Sequence, residues 1–214
     1  MKSNSCFNFN AGRLVLNFLN TVDERPGYDS DSPSAPTELL CSPEILLSWF
    51  DTAGVFSLGW IDQVRAQCLG NTRSAESLLL EVVSLRERLF PILLKLARGV
   101  GLSGLDLSTL NEDFSRLPPR KLIRRNGSLV VDWDEAPSCN PGMFVAPIIQ
   151  DAVDLLTSPA ARKVKVCAAA DCGWLFLDTS KSGKRRWCDM ADCGNREKQR
   201  RFRGVVNTQQ TQPH

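Results

Sequence analysis

The sequence has little histidine and no long apolar run, and these absences exclude several classes of protein. The one histidine, His214, is the last residue, which removes the usual partner of a catalytic cysteine or serine. No segment approaches the roughly 18 apolar residues of a membrane-spanning helix, and the first residues lack a secretory signal. Walker loops and dinucleotide-binding fingerprints are also missing. We therefore expect a soluble cytoplasmic protein that is not an enzyme and has no membrane partner.

Cysteine, by contrast, is plentiful, with eight residues in the chain. A reducing cytoplasm disfavours structural disulfides. Four of the cysteines are scattered, and we expect them to be free thiols that pack as small apolar side chains: Cys6, Cys41, Cys68 and Cys139.

Positive charge is concentrated at the C-terminal end. Residues 160–214 contain 12 Lys and Arg against 5 Asp and Glu, a net +7, whereas residues 1–159 contain 14 against 19, a net −5. The whole chain has a net charge of only +2. This asymmetry predicts an anionic partner for the C-terminal end.

Residues 1–159 are predicted to form a mainly helical domain. Apolar periodicity predicts helices at 12–22, 43–53, 60–69, 75–98, 108–116 and 146–157. Pro91 should kink or divide the longest of them. Asn126-Gly127 lies between two extended runs, which predicts a β-hairpin.

The four remaining cysteines form two pairs of equal spacing. Cys167-x4-Cys172 is followed, after fifteen residues, by Cys188-x4-Cys193. Zn²⁺ takes four thiolates from such pairs, and the segment between them can form a hairpin with a helix after it. Two disulfides fit a reducing compartment less well. An iron–sulfur cluster fits the paired spacing less well, and a reactive thiol would lack a histidine partner. We therefore predict a closed, structural Zn(Cys)4 finger at 160–214.

The helix predicted after the last cysteine places Arg196, Arg200 and Arg203 in one stripe. Guanidinium groups bind phosphates through paired hydrogen bonds, which favours nucleic-acid contact over a merely solvated basic face. Phe202, on the other side, should pack toward the zinc centre against Trp174 or Trp187. The candidate nucleic-acid-binding residues are Lys184, Arg185, Arg186, Arg196, Arg200, Arg201 and Arg203.

The stretch "CAAADCGWLFLDTSKSGKRRWCDMADCGNREKQRRFR" resembles the zinc finger of the CGNR family, named for the tetrapeptide Cys193-Gly194-Asn195-Arg196. "RLVLNFLNTVDERPG", "LLSWF" and "LNEDF" resemble, more loosely, the ABATE domain that usually precedes it. The resemblance implies a bacterial transcription regulator of a stress-induced family, with a DNA-binding finger.

Each residue of the tetrapeptide has an expected role. Gly194 should allow close backbone approach to the metal, and Asn195 should cap the following helix. Arg196 should pair either with Asp178 or with a phosphate. DNA is favoured over RNA because few aromatic residues are available to stack on bases.

The helical domain offers one candidate ligand site. Asn17, Asn20 and Thr21 share a helical face, and Arg25 follows just beyond it. These groups could bind a small ligand or satisfy neighbouring backbone groups.

The sequence thus predicts a zinc-containing transcription regulator whose finger contacts DNA and whose domain at 1–159 senses a signal or ligand, or mediates dimerisation. A homodimer is expected because one small finger rarely gives specific affinity. The alternative is a small-molecule-binding or enzymatic helical domain whose finger is only structural. Redox sensing by the thiolates also stays open.

Overall fold

Helices dominate the structure, a computed structural model that describes residues 7–25, 35–56, 59–125, 127–133, 137–200 and 202. The α-helices are α1 (Leu14–Leu19), α2 (Pro43–Ala53), α3 (Trp60–Leu69), α4 (Thr72–Ala97), α5 (Gly104–Ser115) and α6 (Pro141–Leu156). A 3-10 turn (Pro159–Lys163), a π-helical turn (Met190–Gly194) and a C-terminal helix over 195–200 follow. No helix in the described part of the chain combines the length and apolar character that a membrane span requires.

Three small antiparallel sheets complete the fold. β1 (Val22–Asp23) pairs with β2 (Thr37–Glu38), β3 (Arg120–Arg125) with β4 (Ser128–Trp133), and β5 (Val164–Val166) with β6 (Leu175–Leu177). The mainly helical architecture with small hairpins confirms the predicted fold class.

The ends of α2 follow the signals in its sequence. The Ser42 hydroxyl accepts a hydrogen bond from the Ile45 amide, Pro43 occupies the first turn, and Gly54 ends the helix in the left-handed conformation at φ 64°. The hairpin of β3 and β4 likewise has the predicted two-residue connection, since Arg125 pairs with Ser128 and Gly127 has φ 83°.

The longest helix, α4, continues through Pro91, so that of the predicted kink or division the division does not occur. A proline inside a helix removes one hydrogen bond and costs about 3 kcal/mol or more. Leu85 and Leu89 before the proline, and Ile92 and Leu93 after it, are all buried in the core. We attribute the continuity to this burial, which favours one unbroken helix with its apolar face in the core on both sides of Pro91.

The free-thiol prediction is wrong for two of the scattered cysteines. Cys68 on α3 and Cys139 just before α6 form a disulfide, with Cα atoms 5.4 Å apart and 71 positions of sequence separation. Cys41 is exposed and free, and Cys6 lies outside the described residues. The sequence could not reveal the pair because only the packing of α3 beside the start of α6 brings the two residues together.

The C-terminal finger packs directly on the helical domain. Asn20, at the end of α1, is buried, and its side-chain amide both donates to the Leu175 carbonyl (2.8 Å) and accepts from the Leu175 amide (2.9 Å). The Leu177 amide donates to the Ala11 carbonyl (2.8 Å), and the Trp174 indole donates to the Val22 carbonyl (3.0 Å). The β6 strand is thus held by α1 and its flanks, and both parts share one apolar core.

Replacing Asn20 by Ala should destabilise the whole chain. The variant leaves both backbone groups of Leu175 buried without a partner, and each such group costs about 1–3 kcal/mol. The free energy of unfolding, measured by chemical denaturation, should therefore fall by about 2–4 kcal/mol. Asn111→Ala, on the exposed face of α5, is the matched control and should change it by less than about 0.5 kcal/mol. Equal effects of the two substitutions would show that the Asn20 bridge is dispensable.

The disulfide should make stability depend on reductant. Reduction of the Cys68–Cys139 bond should lower the free energy of unfolding by about 2–4 kcal/mol, because the bond closes a long loop. Cys139→Ser should remove this dependence, whereas Cys41→Ser should keep it. Alkylation of Cys68 and Cys139 in unreduced, denatured protein, detected by mass spectrometry, would contradict the pairing.

Candidate metal centre and basic surfaces

Four cysteine sulfurs converge on one point in the finger. The Sγ atoms of Cys167, Cys172, Cys188 and Cys193 all lie within 4.8 Å of one another, and all four residues are buried. The Cys172–Cys188 and Cys188–Cys193 sulfur separations are 3.5 and 3.6 Å. A tetrahedral ion with Zn–S bonds of about 2.3 Å places its sulfurs about 3.8 Å apart. The donor set and its dimensions therefore fit a metal ion of the zinc type.

The electrostatics of the sulfurs also favour a cation. Hydrogen bonds from Cys172 and Cys188 lower the pKa of the Cys167 thiol, while hydrogen bonding to Cys167 raises the pKa of both Cys172 and Cys188. The neighbours thus stabilise one thiolate and oppose further ones. A bound divalent cation would hold all four as thiolates and would supply the cross-link that this small unit needs.

A hairpin and a tight turn position the ligands. Cys167 directly follows β5, and its amide donates to the Trp174 carbonyl (2.8 Å), so the loop between β5 and β6 holds the first pair. The hairpin therefore forms from β5 and β6, around the first pair. The alternative hairpin, in which the run after Cys172 pairs with the returning "RRWC" segment, does not form among the described residues. The return segment, residues 185–188, instead contacts the loop of the first pair through hydrogen bonds from the Ala168 amide to the Arg186 carbonyl (2.9 Å) and from the Cys188 amide to the Cys167 sulfur (3.4 Å).

The second cysteine pair lies around the π-helical turn. The Asp189 carboxylate caps this turn by accepting from the Ala191 amide (2.7 Å), and it also accepts from the Asn10 side chain (2.9 Å). The cap therefore joins the metal centre to the N-terminal segment of the helical domain.

The tetrapeptide residues take partly different roles from those expected. A Cβ on Gly194 would lie 2.7 Å from the Met190 sulfur, so the crowding comes from a side chain. Asn195 does not accept hydrogen bonds as a helix cap; its amide donates to the Ala191 carbonyl (2.8 Å). Arg196 donates to the Cys193 sulfur (3.1 Å) and pairs with Asp192 (3.2 Å) and Asp171 (3.5 Å), not with Asp178.

The arginine stripe is bound to carboxylates of the finger itself. Arg200 pairs with Asp171 (2.6 Å) and Glu197 (2.7 Å), and Arg196 shares Asp171 with it. These pairs compensate much of the positive charge that the stripe was expected to offer. Arg201 and Arg203 lie outside the described residues.

The expectation for Phe202 is wrong, because its side chain is 73% exposed. The two tryptophans that it was expected to contact have other partners. The Trp174 indole donates a hydrogen bond to the Val22 carbonyl. The Arg186 guanidinium lies 5.3 Å from the centroid of the Trp187 ring.

Three cations, Lys184, Arg185 and Arg186, lie in the segment that we call the basic turn, and they differ in accessibility. Lys184 and Arg186 are exposed. Arg185 is half-buried, because its guanidinium donates to the Trp187 carbonyl (2.9 Å) and to the Cys188 carbonyl and lies over the Phe176 ring. Arg185 therefore stabilises the return segment beside the metal centre.

The polar cluster at the end of α1 is engaged within the protein. Asn17 accepts from the Ala11 amide (3.0 Å), and Asn20 bridges to Leu175. Thr21 donates to the Phe18 carbonyl (2.7 Å) and accepts from Arg86, which is itself buried. Arg25 forms a paired ionic contact with Glu87. This geometry favours the structural interpretation of the cluster over a ligand site.

Sequence reasoning missed the residues that organise the basic turn. Asp178 is buried, and hydrogen bonds from Lys165 and Ser180 keep the pKa of its carboxyl well below the ordinary value. Its Oδ2 accepts from Lys165 Nζ (2.6 Å) and from the Arg185 amide (3.0 Å). A lone Asp after an apolar strand gives no signal of this role beyond the apolar run itself.

A buried four-cysteine centre built from a hairpin, a tight turn and a helix defines a zinc-finger protein. The CGNR zinc finger matches residues 163–204, and the ABATE family, described as "Putative stress-induced transcription regulator", matches residues 12–159. Since the second match covers more than half of the chain, the protein belongs to the ABATE family and carries a CGNR zinc finger, which confirms the resemblance. No curated protein matches the chain.

Purified protein should contain about one zinc ion per chain. Cys172→Ser should lower the zinc content to a small fraction, measured by inductively coupled plasma mass spectrometry, whereas Cys41→Ser should not change it. Because ligand thiols must be deprotonated, zinc should also be released as the pH falls. Protein without zinc that keeps native tryptophan fluorescence and protease resistance in the finger would refute the metal centre.

Proposed function

We propose that the protein is a zinc-dependent transcription regulator that binds duplex DNA through its finger. The observation that carries this proposal is the charge of the C-terminal unit. Residues 160–214 have a net charge of +7 on a chain whose remainder is −5. Phosphate neutralisation by Lys and Arg supplies most of the affinity of proteins for DNA, so this unit is the natural DNA-contacting part.

The metal centre serves this function by fixing the finger. Four protein ligands fill a tetrahedral ion, so no position stays open for a substrate, which supports a structural ion and a regulator in preference to an enzyme. Zinc would hold the basic turn and the C-terminal helix in one arrangement, so that their cations are ordered before DNA arrives.

The helical domain is proposed to carry the signal. α1 contacts β6 of the finger through Asn20, and Val22 holds Trp174 between the two cysteine pairs. A ligand or partner that shifts the end of α1 would therefore shift the finger as well. The short connection and shared core support coupling between the two parts.

Affinity for duplex DNA should fall steeply with salt. Fluorescence anisotropy between about 50 and about 200 mM salt should give a slope of about −0.9 in log K per phosphate contacted, hence about −3 to −5 for three to five contacts. Removal of zinc should abolish the binding. The control variant is Arg73→Gln, at the N-terminal end of the 26-residue helix α4. Its charge lies about 35 Å along the helix from the C-terminal end, so its loss should leave affinity within about twofold. Zinc-loaded protein that binds no duplex at low salt would reject the proposal.

A further inference from the structure

A second basic surface lies mainly on the finger itself, and it shares no residue with the arginine stripe. Two depressions of about 360 and 450 Å³ lie side by side, with Lys165 lining both. We name them together the basic groove. Its cationic lining residues are Arg98, Arg162, Lys163, Lys165, Lys181, Lys184, Arg185 and Arg186.

Positive charge in the basic groove is largely uncompensated. Among the described residues, Asp178 is the only acidic side chain that lines it, and Asp178 is buried against Lys165. Five groove cations form no ion pair within the described part of the chain: Arg162, Lys163, Lys181, Lys184 and Arg186. The stripe is different, because Arg196 and Arg200 are paired with carboxylates.

The backbone that carries these cations is fixed from inside. Lys165 Nζ donates to the Gly183 carbonyl (2.7 Å) as well as to Asp178, and Asp178 accepts from the amides of Ser180 and Arg185 (both 3.0 Å). The turn is therefore closed around the Lys165–Asp178 pair. Exposed cations on a backbone that is already ordered lose less entropy when they bind an anion.

We propose that the basic groove is the surface that holds the phosphate backbone of duplex DNA, and that Arg196 and Arg200 of the stripe instead stay paired with carboxylates of the finger. This inference rests on the proposed function and specifies its contact surface. The groove includes Arg98 at the end of α4, so the helical domain contributes directly to the interface. Among the described residues, no aromatic side chain lines either depression, which favours duplex phosphates over single-stranded bases that stack on rings.

Two double variants of equal charge distinguish the two surfaces. Arg162→Gln with Lys184→Gln removes one exposed cation from each depression. Lys198→Gln with Arg200→Gln removes two exposed cations from the C-terminal helix. Affinity for a duplex is measured by anisotropy over the same salt series, after zinc content and circular dichroism have shown that each variant is folded. The same measurement is made with single-stranded DNA and RNA of identical sequence.

The groove variant should bind duplex DNA at least about tenfold more weakly at about 0.1 M salt, with a salt slope reduced by about 2. The C-terminal helix variant should stay within about twofold of the wild type. A loss confined to the C-terminal helix variant would overturn the inference while leaving DNA binding intact. Tighter binding of either single strand than of the duplex would also overturn it. Wild-type protein that binds no nucleic acid would refute the proposed function itself.

Discussion

The convergence of four buried cysteine sulfurs on one point is the constraint on which the finger depends. The sulfurs come from two segments that are fifteen residues apart, and one thiolate opposes the ionisation of the next. A divalent ion bound at this point would turn this repulsion into a cross-link. The β5–β6 hairpin, the return segment and the π-helical turn all meet at these four sulfurs.

The finger nevertheless does not stand alone. Its strand β6 is completed by a side chain, because the Asn20 amide pairs with both backbone groups of Leu175 in place of a neighbouring strand. Gly173, at φ 69°, passes so close to Arg25 that a Cβ there would collide with the Arg25 carbonyl. Within the polar cluster at the end of α1, Asn20 and the backbone of Arg25 therefore hold the finger against the helical domain.

Local signals predicted the parts of the structure that local chemistry decides. The Ser42 cap, the Gly127 turn and the cysteine spacing each act over a few residues. The Cys68–Cys139 pair and the exposed position of Phe202 depend on how distant elements pack. The continuity of α4 through Pro91 likewise follows from burial of its apolar face, which outweighs a local preference. Nothing in the neighbouring sequence carries that information.

Charge shows the same limit with more consequence for function. The sequence locates a basic unit, but a helical wheel assigns its charge to the arginine stripe because the wheel ignores carboxylates from other segments. Asp171, in the first cysteine loop, reaches both Arg196 and Arg200, whereas Lys184 and Arg186 have no such partner among the described residues. Charge that is already paired must exchange partners to bind phosphate, and unpaired charge need not. The surface that contacts a polyanion is therefore set by where the carboxylates lie as much as by where the cations do.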